Sequence, residues 1–170
     1  MALRSWLTAL RVVAGLLLVP GCPPPAPASD GHALLEREAP SVTGVALDGR
    51  PMAAAGAAGG RATVVDFWAS WCRPCEGSIP ILEDLWRRHR ARGLVVVAVS
   101  QDRSAADARS ALQAMGASFP VLFDRDQALA RDFRVERIPL SFVLDERRRI
   151  RWVGSDPTAL RAAVARVLAD

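Results

Sequence analysis

The chain has 170 residues, 51% of them hydrophobic, which is room for one domain with an ample core plus a short leader and excludes two ordinary domains. Its formal charge of +4 includes Arg4 and Arg11 near the start; without them 20 basic residues face 18 acidic ones, a balance too small to argue for nucleic acid. Three cysteines exclude a disulfide scaffold, because Cys72 and Cys75 form one pair and Cys22 stands far from both.

The N-terminus reads as an export signal. Arg4 and Arg11 precede the apolar run Val12–Val19, and Pro20-Gly21-Cys22 follows. Eight apolar residues fall far short of the ~20 that span a bilayer. Val19-Pro-Gly-Cys22 resembles the lipobox of bacterial lipoproteins, which implies that residues 1–21 are removed and Cys22 is lipidated. Pro23 to Gly31 is too poor in apolar residues to bury a core, so residues 22–37 are expected to form a tether ahead of a domain spanning 38–170.

Within that domain, Val42–Leu47 alternates weakly before Asp48-Gly49, a hairpin signal, and Ala53–Gly60 reads as loop. Ala62–Trp68 is a β-branched and aromatic run, hence a buried strand. A helix is expected from Arg73 to Ala91, with Ile79, Leu82, Leu85 and Trp86 on one face and Pro80 inside it. Leu94–Ser100 reads as a strand of the parallel type. Helices follow at Ser104–Met115, capped by Ser104, and at Gln127–Phe133, with a strand at Phe119–Phe123 between them. Strands at Leu140–Leu144 and Ile150–Val153 precede a final helix opened by Asp156-Pro157. This alternation argues an α/β sheet with helices on both faces. The clusters Arg87 to Arg92 and Arg147 to Arg151 are read as solvated faces.

Trp71-Cys-Arg-Pro-Cys75 falls where a buried strand meets a helix. A thiol at a helix N-terminus is biased toward thiolate by free backbone donors and the helix dipole, and Arg73 adds positive charge beside Cys72. Cys75, one turn on, can close a small disulfide ring with it. Such a pair suits thiol–disulfide exchange. Zinc wants about four ligands, and beyond this pair the domain offers only His89 as a nitrogen ligand on the expected helix, a position read as surface. A c-type haem site would need His where Glu76 stands. Copper(I) binding by two thiolates, and a purely structural disulfide, stay open as alternatives.

Val65-Asp-Phe-Trp-Ala-Ser-Trp-Cys-Arg-Pro-Cys75 resembles the active-site strand and helix start of thioredoxins. The resemblance extends to Pro80 and to Ile138-Pro139, which looks like the family's cis-proline, and the stretch from about Glu38 to Asp170 resembles the exported TlpA/ResA-like branch. It implies a thioredoxin fold, a central mixed sheet flanked by helices, with a helix-containing insertion within the 64 positions from Cys75 to Pro139. It also implies a protein-disulfide reductase, with net oxidase or isomerase as an alternative, that works as a monomer in the cell envelope, lipid-anchored on the extracytoplasmic side. Its expected partners are protein dithiols or disulfides, cytochrome c maturation substrates among them, and a membrane electron donor, with no nucleic acid, metal or cofactor. By the same resemblance Cys72 attacks, Cys75 resolves, Asp66 shuttles the proton of Cys75, and Trp71, Ile138 and Pro139 contact substrate; a purely structural carboxylate is the other reading of Asp66. Leu140 stands where the family commonly has Thr, and Asp66 where the TlpA-like branch often has Asn.

Overall fold

A computed structural model describes residues 31–54 and 60–170. A hairpin of β1 (Val42–Val45) and β2 (Pro51–Ala54) precedes β3 (Ala62–Trp68), α1 (Cys75–His89) and a 3-10 turn over Arg90–Arg92. Then come β4 (Leu94–Ser100), α2 (Ala105–Ala114), β5 (Val121–Phe123), α3 (Ala128–Asp132), β6 (Leu140–Asp145), β7 (Ile150–Gly154) and α4 (Pro157–Val167). The last five strands of the chain form one sheet in the order β5-β4-β3-β6-β7. β3, β4 and β5 run parallel, while β6 and β7 are antiparallel to their neighbours. The expected mixed sheet is therefore present, and α2, β5 and α3 fill the stretch between β4 and Pro139.

Alternation along β3 sorts the core into two layers, because successive side chains leave a strand on opposite faces. Ala62, Val64 and Trp68 enter one apolar cluster with Ile79, Leu82 and Leu85 of α1, Leu112 of α2, and Leu160 and Val164 of α4. Val65 and Phe67 enter the other, with Phe142, Ile150, Leu129 of α3, and Phe133. There Phe67, Phe133 and Phe142 pack mutually with centroids 4.9 to 5.8 Å apart. Removing one such ring costs about 3–5 kcal/mol.

Local chemistry sets the element ends. Ser104 Oγ accepts from the Asp107 amide, and Asp156 Oδ1 from the Ala159 amide, so each side chain satisfies a donor the helix start leaves free. Gly93, at φ +94°, closes the turn after α1, a conformation that strains a residue bearing Cβ. Pro80 lies within α1 and lacks the amide that would bond the Glu76 carbonyl, yet the helix runs through it.

The structure revises several expected bounds. α1 begins at Cys75 rather than Arg73, and β5 begins at Val121 rather than Phe119. Ala53 and Ala54 belong to β2, paired with Thr43 and Val42, rather than to the loop. Residues 32–37, expected in the tether, lie against the sheet: the Glu36 amide donates to Ile150 O, the Ile150 amide donates to Arg37 O, and His32 meets Phe142 edge-on. Leu34 and Leu35 pack against the second apolar cluster. Cys22 and the leader lie outside the described residues.

Candidate active site

The carboxyl end of β3 and the start of α1 carry the cysteines. Cys72 and Cys75 are joined by a disulfide with Cα atoms 5.3 Å apart. The chain winds into the helix through successive turns, the Cys75 amide donating to Cys72 O and the Glu76 amide to Arg73 O. Cys72 thus sits one turn ahead of α1 rather than on its first residue. It is 5% exposed and Cys75 1%, so the second cysteine is the more enclosed. Trp71 beside them is 68% exposed, whereas Trp68 is wholly buried in the core.

A buried acid anchors this loop. Both oxygens of Asp102, just past β4, accept from the Ser70 amide at 3.1 Å. Ser70 Oγ donates to Oδ1 at 2.6 Å, and Ser100 Oγ donates to Oδ2 at 2.8 Å. Charge-assisted bonds of this kind are about twice as strong as neutral ones, so the segment ahead of Cys72 is tied to the sheet. Parallel pairing of β3 with β4, which sets Trp68 beside Ser100, brings Ser70 to Asp102 across 32 positions of sequence.

Ile138–Pro139 is a cis peptide immediately before β6. Ile138 is half-buried and touches both core layers. With Trp71, Gln101, Gln127 and Val135 it lines an open cleft of about 320 Å³. The structure therefore brings Trp71 and Ile138, 67 positions apart, to one surface depression. Its far wall is fixed by Asp124, which accepts from Gln101 Nε2 and from the amides of Leu129 and Ala130 at the start of α3. Leu140 is buried in the second core layer.

Asp66 is fully buried on β3, on the same face as Val64 and Trp68 and thus in the layer that holds Cys75. Burial pushes its carboxyl up to about 7, against the lowering effect of a hydrogen bond from Ser141. An acid poised near neutrality can both take and return a proton under ordinary conditions. Ser141, Asp102 and Ser70 escape a reading of motifs. Ser141 lies two residues past Pro139, but only the strand register places it opposite Asp66. His89 ends α1, away from this site, beside Arg92. Among the described residues no group of three or more His, Cys, Asp or Glu is placed to hold a metal ion.

The chain is similar to several thiol-disulfide oxidoreductases. Thiol-disulfide oxidoreductase ResA of Bacillus thuringiensis (strain Al Hakam) is 28% identical over 87 residues, 51% of this chain and 50% of that protein. The ResA of Bacillus subtilis (strain 168) is 26% identical over 86 residues, 51% and 48%. The chain spans about half the length of the curated relatives it matches. A putative thiol:disulfide interchange protein DsbE from Chlorobium tepidum superposes with a TM-score of 0.69 at 29% identity, over 77% of this chain and 95% of that one. The thioredoxin domain of a thiol-disulfide oxidoreductase from Bacteroides vulgatus reaches 0.72 at 20% identity over 79% and 97%, a likeness of fold. The AhpC/TSA family profile matches residues 35–153, from the docked N-terminal segment almost to the end of β7 and across both cysteines. The chain, thioredoxin-like in fold, belongs to the AhpC/TSA family.

Proposed function

We propose that this protein is an extracytoplasmic thiol–disulfide oxidoreductase acting as a protein-disulfide reductase. One observation carries the reading: the Cys72–Cys75 disulfide lies at a strand-to-helix junction beside the exposed Trp71. In the reduced chain the Cys72 thiolate attacks a substrate disulfide, forming a mixed disulfide and releasing one substrate thiol. Cys75 then attacks the Cys72 sulfur, Asp66 taking its proton, and the second substrate sulfur leaves as the Cys72–Cys75 bond closes. The substrate gains two electrons and the chain loses two, which a membrane dithiol donor restores. Ile138, ahead of the cis Pro139, offers its backbone to an extended substrate segment, and the cleft it shares with Trp71 receives substrate side chains.

The ResA and DsbE likenesses support this chemistry, and the resemblance to the TlpA/ResA-like branch makes apocytochrome c thiols a candidate substrate class. Lipidation of Cys22 would hold the protein to the membrane; among the described residues no helix is long and apolar enough to cross one. The test is disulfide reduction by the reduced full chain, with insulin as probe, together with the reduction potential of the couple. A potential near ~−270 mV rather than ~−120 mV supports a reductase over a net oxidase. Tight stoichiometric copper(I) binding without insulin reduction would overturn the assignment.

A further inference from the structure

Ser141 is buried on β6 opposite Asp66 in the antiparallel register. Opposed residues on neighbouring strands project to the same face, so hydroxyl and carboxyl meet in the layer that holds Cys75. Ser141 Oγ donates to Asp66 Oδ1 at 2.5 Å, whereas Asp66 Oδ2 is buried and has no hydrogen-bond partner among the described residues. A serine hydroxyl has one hydrogen, and here it is committed to Oδ1. The two oxygens of the carboxyl are therefore unequal: Oδ1 is occupied as an acceptor and Oδ2 is open.

We infer that Ser141 is a positioning residue for proton transfer, holding Asp66 through Oδ1 so that Oδ2 is the oxygen that exchanges a proton with Cys75. This inference rests on the thiol-exchange reading. In the resolving step the Cys75 S–H bond breaks and its proton passes to Oδ2. The sulfur electron pair forms the bond to Cys72, and the substrate sulfur departs with the pair of the broken mixed disulfide. Asp66 later returns the proton to solvent or, when the couple is reduced again, to Cys75.

The surroundings leave Ser141 as the tuning contact. From the α1 side the titratable groups on this face are Cys72, Cys75 and, two turns on, Glu83, whose carboxylate is held by Ser118 and Arg87. β4 turns Val96, Ala98 and Ser100 toward it, β6 Ser141 and Val143, and β7 Trp152. α4 contributes Leu160, Ala163 and Val164, while its Arg161 pairs with Asp84. Among the described residues no charged side chain offsets the burial of Asp66; the Ser141 hydrogen bond does so in part, because donation to the charged form favours it.

The experiment compares Ser141→Val with Ser141→Thr in the full chain, side chains of nearly equal size that differ in the hydroxyl, with Ser141→Ala as a smaller third variant. The Asp66 carboxyl is titrated directly by carbon NMR in the oxidised chain, and rapid mixing follows first attack and resolution against pH. Val and Ala should raise the Asp66 midpoint by about one to two pH units. The pH profile of resolution should rise with it, first attack should not change, and Thr should behave as wild type. An unmoved midpoint in Val, or a Thr midpoint displaced as far as that of Val, overturns the inference. Failure of the wild-type chain to form mixed disulfides would sink the parent reading, and it is read separately from the carboxyl titration.

Discussion

Replacing Asp66 with Asn removes a buried titratable group while keeping an oxygen to accept from Ser141, and the consequence for stability depends on pH in a calculable way. An ordinary Asp in the unfolded chain titrates at 3.8, whereas in the folded chain it does so at about 7. Between those values the folded state keeps a proton that the unfolded state has lost, so stability falls as pH rises, by about 1.4 kcal/mol per pH unit. The stability is fully present below 3.8 and lost as pH climbs through 7. The two midpoints lie roughly three pH units apart, so the full loss is on the order of 4 kcal/mol. Asp66→Asn lacks this dependence. Its amide also leaves an unpaired group where Oδ2 was, a pH-independent cost of about 1–3 kcal/mol. Urea denaturation of the oxidised chains at pH 4.5, 6 and 8 should therefore show the variant gaining on wild type by about 3–4 kcal/mol from the lowest pH to the highest. A difference that stays flat across that range would refute the claim that Asp66 is buried without a compensating charge.

Three further outcomes are expected. Cys75→Ser should accumulate mixed disulfides with substrate proteins on a denaturing non-reducing gel, whereas Cys72→Ser should trap none; trapping by both would cancel the division of roles. Asp102→Ala strips the acceptor from Ser70 and Ser100 and should cost about 3 kcal/mol, read as a lowered denaturation midpoint with an unchanged slope. Intact mass of the membrane-extracted protein should begin at Cys22 and carry added diacylglycerol; an unmodified chain cut elsewhere would end the lipid-anchor proposal.

Much of this protein is legible in one dimension because its causes are local. The β-branched run Ala62–Trp68 is a strand, Ser104 and Asp156 cap helices, Asp48-Gly49 turns a hairpin, and two cysteines three apart can close a ring wherever that segment sits. The docking of residues 32–37 was not legible, since it depends on an edge of β7 that forms far along the chain. Nor was the loop anchor, because nothing near Ser70 in sequence hints at Asp102 until β3 and β4 lie side by side. Asp66 could be picked out as an acid in an apolar strand, but its single donor could not. That Ser141 rather than Leu140 faces it follows from the register of β6 against β3, and a slip of one residue would have turned an apolar side chain to the carboxyl instead. Residue types thus determine which groups can react. Tertiary pairing decides which are enclosed, which are hydrogen-bonded and which oxygen is left open, because those properties belong to contacts between segments distant in the chain.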